Sequence, residues 1–337
     1  MSQGKANLRD WPVPSLAPNE VLVKVIYAAS NPTDVSHRDY LSPPDVPLGA
    51  DFSGTVAALG SSVSRLKIGD RVSGSVHGGK FKDKGAFAEY LKQEETLLWI
   101  VPEQVKMEEA AGTCVGLSSA AMAIYLRQGV PMPPAKRTDN AWYIVQGGSS
   151  SVGLYAVQLA RLAGYRVIAT CSPHSFDLVK SYGADQVVDY HDAAAALEQI
   201  KSVTADGVVA GLECIGGMPN IKLAKEAFGP KGGLLITLGS TEGLEDIRPD
   251  VKAERILLYT AGGVEFEFYP GKPKIPAMPE DRVWYLDFVK AFPSFFTTYG
   301  VKANPVDLRH GMESIQAGME ELKAKKVSGK KITYKIG

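Results

Sequence analysis

A turn rich in glycine and serine is the clearest candidate for chemistry in the sequence. It reads Gln146-Gly147-Gly148-Ser149-Ser150-Ser151-Val152-Gly153-Leu154, between a predicted apolar strand and a predicted helix. Such a turn presents backbone N–H groups and the positive end of the helix dipole to a pyrophosphate. Gly147 can form the tight turn, and Gly153 lets the helix pack close to the sheet. Because Ser150 replaces the middle glycine of a G-x-x-G-x-x-G spacing, the motif alone is weak, and a turn of some other α/β fold is the alternative.

The end of the second predicted strand indicates which dinucleotide is preferred. A site specific for NAD usually has Asp or Glu about twenty residues after the glycines. This chain has Thr170-Cys171-Ser172-Pro173-His174-Ser175 there. Without a carboxylate to repel a 2′-phosphate, and with Ser172, His174 and Lys180 as donors, the sequence favours NADPH. A solvated helix face is an equally good interpretation of Lys180.

A regular alternation of strands and helices must position these residues. Short apolar strands alternate with helices of about ten residues from Trp142 to Leu238, which predicts a parallel, doubly wound sheet. The predicted strands are Trp142–Gln146, Arg166–Thr170, Gln186–Tyr190, Gly207–Glu213 and Gly233–Leu238, with Ile256–Ala261 as a further candidate.

The flanking parts of the chain have a different character. Up to about Val101 the sequence predicts short strands and turns, followed by one buried helix over Met107–Leu126 and a linker over Gly129–Asp139. Mixed character returns from Glu265 onward. We therefore predict one domain from residues 1–127 and 265–337, and a dinucleotide-binding domain from residues 128–264.

Composition bounds the classes of function. The 337 residues suggest about two domains, and 37 basic residues balance 37 acidic ones. A neutral protein has no long-range field for nucleic acid or an anionic membrane, so neither partner is expected. Three cysteines, far apart in sequence, argue against a disulfide framework, and the N-terminus lacks the order of a signal peptide. We expect a cytoplasmic protein.

Several short sequence motifs in the first part of the chain carry a family resemblance. They are Ala29-Ser30-Asn31-Pro32-Thr33-Asp34, Leu48-Gly49-Ala50-Asp51-Phe52-Ser53-Gly54, Ile68-Gly69-Asp70-Arg71-Val72 and Gly85-Ala86-Phe87-Ala88-Glu89-Tyr90. In this order, ahead of the strand–turn–helix unit, they resemble the medium-chain dehydrogenase/reductase superfamily over essentially the whole chain. The resemblance implies an α/β protein with a GroES-like, mostly-β catalytic domain and a Rossmann domain with a doubly wound parallel sheet.

The resemblance is to the zinc-independent branch of that superfamily. Zinc alcohol dehydrogenases carry Gly-His-Glu where this chain has Gly49-Ala50-Asp51. Three scattered cysteines cannot form a four-cysteine zinc site, and the five histidines show no ligand spacing. We therefore expect no metal.

Within that branch the chain resembles the stand-alone, trans-acting enoyl reductases of fungal polyketide pathways. The similar segments are residues 169–185, Val188-Asp189-Tyr190, the serine-rich loop and Val327-Ser328-Gly329-Lys330. The resemblance implies NADPH-dependent reduction of an acyl chain held on the carrier protein of a polyketide or polyketide–peptide synthase. Two alternatives stay open: a free-standing quinone or enone reductase, and a non-catalytic NADPH-binding protein. The sequence leaves open whether the protein is a monomer or a homodimer.

The resemblance also assigns site residues. The full set of predicted cofactor contacts also includes the loop glycines and Lys180 described above. These contacts are Thr33, Asp34, Ser36, Gly147, Ser149, Ser150, Ser151, Val152, Gly153, Ser172, His174, Ser175, Lys180, Tyr190, Thr237, Leu238, Ser328 and Gly329. Ordinary turn chemistry is the alternative for each single serine. The predicted substrate contacts lie at one helix start: Gly116, Leu117, Ser118, Ser119, Ala120, Ala121, Met122 and Ala123. A tightly packed core helix is the alternative there.

No proton donor can be assigned from the sequence. The polar candidates for catalysis are Ser36, His37 and His77, but related sequences often carry lysine at the position of Ser36. Pro32 stands where some enoyl reductases have a tyrosine. We therefore expect that water supplies the proton. The aromatic loop Gly262–Pro270 could line the substrate pocket or serve only as an anchored loop.

Overall fold

The computed structural model describes residues 4–205, 207–268, 271 and 273–337. The chain divides into two compact units, Met1–Val115 with Tyr259–Gly337, and Gly116–Leu258. The junctions fall earlier than the predicted 127/128 and 264/265. The first junction falls earlier because the residues after Val115 pack within the second unit. Tyr125 donates a hydrogen bond to Leu159 O at 3.4 Å, and a Cβ on Gly116 would lie 3.0 Å from the Tyr155 ring.

The elements are numbered in chain order. The strands are β1 (Glu20–Ala29), β2 (Asp51–Leu59), β3 (Arg71–Ser75), β4 (Tyr90–Glu94), β5 (Leu98–Ile100), β6 (Trp142–Gln146), β7 (Arg166–Thr170), β8 (Gln186–Val188), β9 (Ala210–Glu213), β10 (Gly233–Thr237), β11 (Val251–Arg255), β12 (Val306–His310) and β13 (Lys331–Lys335). The helices are α1 (Pro32–Ser36), α2 (Met107–Ala111), α3 (Cys114–Ala121), α4 (Ser151–Leu162), α5 (Phe176–Ser181), α6 (Ala193–Thr204), α7 (Met218–Glu226), α8 (Pro279–Thr297) and α9 (Ile315–Lys323).

The first unit is built on a mostly antiparallel sheet. Its strand order is β12-β13-β1-β2-β3-β5, and β4 also pairs with β1. Only β12 and β13 are parallel among these pairs. Alternate residues of β1, such as Val21, Val23 and Val25, are buried in a core with Phe52 and Leu98. The short helix α1 follows β1 after Ser30 and Asn31.

The second unit contains an all-parallel sheet with the order β11-β10-β9-β6-β7-β8. Ile144, Ile168 and Leu235 from three of its strands are fully buried in one core. The order reverses beside β6, whose neighbours are β9 and β7. In such sheets ligands bind outside the carboxyl ends of the strands at this reversal. The predicted α/β fold, with a GroES-like part and a doubly wound sheet, is confirmed.

Two predicted elements were wrong. The expected strand Ile256–Ala261 is replaced by β11, and Leu258–Gly262 is a turn of 3₁₀ helix. Because β11 is an edge strand with exposed Lys252 and Arg255, its sequence lacks the apolar run of the inner strands. The single helix expected over Met107–Leu126 is instead interrupted at Gly112-Thr113, between α2 and α3.

Two further features bear on the predictions from composition. Cys114, Cys171 and Cys214 are not joined in disulfide bonds. Across the described ranges, no helix combines the length and apolar character needed to cross a bilayer.

Candidate active site

The serine-rich loop joins β6 to α4 in a closely packed turn. Ser150 caps the helix, since its Oγ accepts a hydrogen bond from Gly153 N at 3.0 Å. Gly147 has φ +83°, in the region that favours glycine. A Cβ on Gly153 would lie 2.2 Å from Gly147 O, so only glycine fits at this close approach.

Four consecutive residues of the loop are partly exposed: Ser149, Ser150, Ser151 and Val152. They are flanked by buried glycines and stand at the N-terminus of a twelve-residue helix, α4. This is the arrangement that binds a dinucleotide pyrophosphate through backbone N–H groups and the helix dipole. The loop therefore fits the dinucleotide that the sequence predicts, with the Ser150 side chain acting as the helix cap.

The end of β7 is tied to this loop. Thr170 Oγ1 accepts a hydrogen bond from Gly147 N at 3.0 Å and donates one to Gln146 Oε1 at 2.7 Å. Two residues further, Ser172 Oγ lies 3.5 Å from the hydroxyl of Tyr190, which follows β8 by two residues. The structure thus brings together Ser172 and Tyr190, both predicted cofactor contacts.

The remaining residues predicted near the 2′-phosphate differ in how exposed they are to solvent. His174 and Lys180 are exposed, whereas Ser175 is buried within the turn that follows β7. Their contacts with a cofactor stay predictions.

The buried carboxylate of Glu213, which the sequence did not indicate, links the ends of β9 and β10. Glu213, the last residue of β9, accepts hydrogen bonds from Ile215 N and Gly216 N at 2.7 Å each. It also accepts one from Thr237 Oγ1 at 2.8 Å. Burial raises the pKa of Glu213. The Thr237 side chain is therefore buried and engaged, while Leu238 beside it is partly exposed. The only signal in the sequence is a lone acid that ends an apolar strand.

The predicted substrate helix is deeply buried. From Leu117 to Ala123 every residue is 0–6% exposed, and Gly116 is also buried. This burial fits the alternative of a packed core helix. Contact between these residues and a substrate stays a prediction.

In the first unit, α1 is anchored by four buried residues that we call the buried polar network: Asn31, Asp34, Asp51 and Lys331. Asn31 donates from its backbone N to Asp34 Oδ2 at 2.7 Å and from Nδ2 to Asp51 Oδ2 at 3.0 Å. Lys331 Nζ lies 2.5 Å from Asn31 Oδ1 and 3.2 Å from Asp51 Oδ2. The network fixes the start of α1 to β2 and β13.

The network contains two carboxyl groups and one ammonium group. Burial raises the pKa of both Asp34 and Asp51, and that of Asp34 reaches about 7, with the nearby Asp51 charge adding to the effect. Asp34 is 1% exposed, so its carboxylate positions α1 from inside the unit. Its predicted contact with the cofactor is untested.

Thr33, which precedes Asp34 in α1, contacts a side chain that the sequence did not indicate. Its Oγ1 lies 2.8 Å from the hydroxyl of Tyr259. Tyr259 belongs to a group that we call the aromatic cluster: His37, His77, Tyr259, Phe266 and Phe268. The rings of Tyr259 and His77 are stacked at 3.7 Å and 15°, and eight other pairs in the cluster meet edge-on or tilted at 5.3–6.1 Å. Tyr269 and Pro270 of the predicted aromatic loop lie outside the described residues.

The three polar candidates for catalysis are engaged within the unit. Ser36 Oγ lies 3.2 Å from Pro32 O, to which it donates, and accepts from Tyr40 OH at 2.9 Å. His37 Nδ1 lies 3.0 Å from Ser42 Oγ. Burial lowers the pKa of His37 to about 4 and that of His77 to about 2, so both imidazoles are neutral near pH 7.

The C-terminal pair of predicted cofactor contacts, Ser328 and Gly329, lies in the loop between α9 and β13, and Ser328 is exposed. Over the described part of the chain, no three His, Cys, Asp or Glu side chains are grouped so that they could hold a metal ion.

A GroES-like sheet, together with a doubly wound parallel sheet whose first strand leads into a glycine- and serine-rich turn, defines the class of the medium-chain dehydrogenases/reductases. Residues 17–103 match the family model described as the alcohol dehydrogenase GroES-like domain, and residues 151–261 match that of the zinc-binding dehydrogenase. The fold is similar to a crystal structure of CurK enoyl reductase, with TM-score 0.75, 21% identity, and coverage of 99% of this chain and 94% of that one. It is also similar to a mycobacterial protein complexed with NADPH, with TM-score 0.73, 23% identity, and coverage of 97% and 94%.

Curated relatives are more similar in sequence. The trans-enoyl reductase gkaC of Penicillium citrinum is 33% identical over 344 residues, which cover 97% of this chain and 93% of the relative. The trans-enoyl reductase xenG of Xenoacremonium sinensis is 34% identical over 342 residues, which cover 96% and 90%. The chain belongs to the trans-enoyl reductases of the medium-chain dehydrogenase/reductase superfamily and is an oxidoreductase.

Proposed function

We propose that the protein is an NADPH-dependent, trans-acting enoyl reductase. Its substrate is the activated C=C bond of a polyketide or polyketide–peptide acyl thioester, held on the carrier protein of a partner synthase. The observation that carries this proposal is the 33–34% identity, over almost the full chain, to proteins named as trans-enoyl reductases. The phosphate-binding turn supports it, because a reductase of this kind needs a dinucleotide held beside the substrate.

The choice of NADPH rests on the end of β7. The hydroxyl groups of Ser172 and Tyr190 stand close together there, and no carboxylate ends the strand. Asp189 precedes Tyr190, and its carboxylate is engaged locally, since it accepts hydrogen bonds from the backbone and the ring of His191. A 2′-phosphate would therefore meet hydroxyl donors where an NAD site has an acid.

The residues of this chain bind and orient the reactants. Bound NADPH would supply the hydride for the β-carbon of the enoyl thioester, and the α-carbon would then need a proton. The loop residues Ser149 to Val152 hold the pyrophosphate, and Glu213 fixes the adjacent strand ends. The buried polar network holds α1, which carries Thr33. Fixed donors of this kind act by positioning the reactants and stabilising the enolate oxygen.

The test compares NADPH oxidation by the full-length protein with three acceptors: an enoyl thioester on a carrier protein, the same acyl group as a free thioester, and a simple quinone. We expect the highest kcat/KM with the carrier-bound thioester. The highest kcat/KM with the quinone would instead identify a free-standing quinone reductase. Tight NADPH binding without hydride transfer to any acceptor would identify a non-catalytic NADPH-binding protein.

A further inference from the structure

The last residues of four neighbouring strands of the parallel sheet form a row of buried polar side chains. The pairing of β10 with β9, of β9 with β6 and of β6 with β7 places them side by side at the carboxyl edge of the sheet. We call these residues the polar row: Thr237, Glu213, Gln146 and Thr170. Each is at most 1% exposed. Strands covered on both faces are largely apolar, and buried polar groups are costly, so such a row points to a role beyond packing.

Hydrogen bonds join the polar row into two pairs. Thr237 Oγ1 donates to Glu213 Oε2 at 2.8 Å, and Thr170 Oγ1 donates to Gln146 Oε1 at 2.7 Å. The second pair also holds the start of the glycine- and serine-rich turn, because Gly147 N donates to Thr170 Oγ1 at 3.0 Å. The side chains of β7 thus fix the backbone that leaves β6.

Asn220 of α7 connects the two pairs. Its Oδ1 accepts from Gln146 Nε2 at 3.3 Å, and its Nδ2 donates to Gly216 O at 2.9 Å. Gly216 N in turn donates to Glu213 Oε1 at 2.7 Å. The connection crosses from β6 to β9, beside the reversal of strand order, where dinucleotides bind in such sheets. A continuous chain of hydrogen bonds therefore spans the ends of all four strands.

Ile215 brings the loop after β9 against the turn after β6. Its backbone N donates to Glu213 Oε1 at 2.7 Å. Its side chain packs on Gly147, since a Cβ there would lie 2.4 Å from Ile215 Cγ1, yet Ile215 is 51% exposed. The turn and the loop are thus the two walls of a crevice between β6 and β9, and Glu213 holds one of them directly.

We propose that Glu213 and Asn220 are positioning residues for the dinucleotide, and that through the polar row they set the separation between the two walls. This inference rests on the proposed function, which supplies the ligand. A dinucleotide crosses the crevice, so its two halves need both walls at the right distance. Groups that are held in advance bind a ligand with less loss of conformational freedom than groups ordered on binding.

The charge of Glu213 makes the direction of the effect informative. Glu213→Gln removes a negative charge from the edge of the sheet that receives the phosphate groups. Electrostatic repulsion alone therefore predicts that this variant binds NADPH more tightly. The introduced amide, however, places a donor where the Thr237 hydroxyl now donates, which breaks one link of the row. A positioning role therefore predicts weaker binding.

The experiment titrates the full-length protein with NADPH and, separately, with adenosine 2′,5′-bisphosphate, which lacks the nicotinamide half. Glu213→Gln and Asn220→Ala should each raise the Kd for NADPH by about 3- to 10-fold, as expected for one or two lost hydrogen bonds. The Kd for the bisphosphate should change by less than about twofold, because that fragment needs only the β7 side of the crevice.

Two features of the variants guard the comparison. Asn220 is partly exposed in α7, where alanine suits a helix, so Asn220→Ala tests the row even if the buried Glu213→Gln folds poorly. Glu198→Gln is the matched control, since it removes the same charge from an exposed position of α6 outside the row. It should leave both Kd values unchanged.

A measurement on the cofactor-free protein tests the chain of hydrogen bonds itself. In protein labelled with ¹⁵N-glycine, Asn220→Ala should shift the amide signal of Gly147, which the chain reaches through Gln146 and Thr170. Glu198→Gln should leave that signal in place. A role of Asn220 confined to α7 would not move it.

The outcomes separate the two proposals. A wild-type protein that does not bind NADPH overturns the proposed function and this inference together. If the wild type binds NADPH, an affinity that Glu213→Gln leaves unchanged or tightens overturns this inference alone. Equal losses of affinity for NADPH and the bisphosphate in Asn220→Ala, or an unmoved Gly147 signal, would also overturn it.

Discussion

Replacing Lys331 with methionine tests whether the buried polar network holds α1 in place. Methionine keeps most of the apolar stem of lysine but removes the ammonium group, which lies 3.2 Å from Asp51 Oδ2. The Lys331 side chain is only 4% exposed and Asp51 is fully buried. The variant therefore leaves a carboxylate without its counter-charge in a place that water does not reach.

The size of the effect follows from this geometry. At an effective dielectric constant of about 20, two unit charges 3.2 Å apart attract by about 5 kcal/mol. The Asp51 carboxylate keeps two hydrogen bonds, from Asn31 Nδ2 at 3.0 Å and Val115 N at 2.9 Å, which offset part of the loss. We expect Lys331→Met to lower the free energy of unfolding by about 3–5 kcal/mol, as for other broken buried pairs.

The loss should depend on pH in a defined direction. Burial already raises the pKa of Asp51, and loss of the ammonium should raise it further. A carboxyl group with a higher pKa in the folded state binds its proton more strongly there than in the unfolded chain. The variant should therefore become less stable as the pH rises from about 4 through the folded pKa, so the loss is smaller near pH 5 than near pH 8.

Urea unfolding followed by tryptophan fluorescence measures this effect. A Trp142→Phe background removes the tryptophan of the second unit, so the signal includes Trp99, which is buried against Phe292 in the first. Lys335→Met, at the exposed end of the same strand, is the control and should change stability by about 0.5 kcal/mol or less. Adding Asp51→Asn to Lys331→Met should restore part of the loss. A loss below about 1 kcal/mol, or no recovery in the double variant, would refute the reasoning.

The remaining predictions concern the cofactor, the second carboxyl group, metal and the core helix. Ser172→Asp should weaken NADPH binding in a fluorescence titration by about 1–3 kcal/mol through repulsion of the 2′-phosphate, whereas the exposed control Ser181→Asp should not; equal effects would contradict it. Because burial raises the pKa of Asp34 to about 7, Asp34→Asn should gain about 2 kcal/mol of stability relative to wild type between about pH 5 and pH 8; a flat difference in thermal melting would refute this. Activity should survive exhaustive chelation, and elemental analysis should find well under one zinc per chain; stoichiometric zinc whose removal abolishes activity would contradict this. Ala121→Leu should cost about 1–3 kcal/mol by overpacking a fully buried position, and an unchanged melting temperature would argue against the packed helix.

The parallel sheet could be predicted well because its inner strands are short apolar runs that stand out in the sequence. β6 and β7 were predicted with the bounds that the structure has, since each is a short apolar run ahead of a glycine, serine or proline turn. β11 could not be found in that way. It is an edge strand whose residues Lys252 and Arg255 face solvent, and only its pairing with β10 makes it a strand. A strand was predicted instead over the apolar residues just after it, Ile256–Ala261.

The residues of the candidate site also differ in how well they could be predicted, according to whether their contacts are close or distant in sequence. The glycine- and serine-rich turn is local in sequence. Its glycine spacing alone is weak, but the strand before it and the helix after it predict a dinucleotide-binding turn. Tyr259 and Thr33 are 226 residues apart, and their 2.8 Å contact exists only because the chain returns to the first unit at Tyr259. Lys331 and Asn31, 300 residues apart, meet in the same way. A single sequence carries no signal for such pairs, since each partner alone is an ordinary tyrosine, threonine, lysine or asparagine. The Asn31-Pro32-Thr33-Asp34 motif therefore gives no indication of Tyr259, which only the folded chain brings against Thr33.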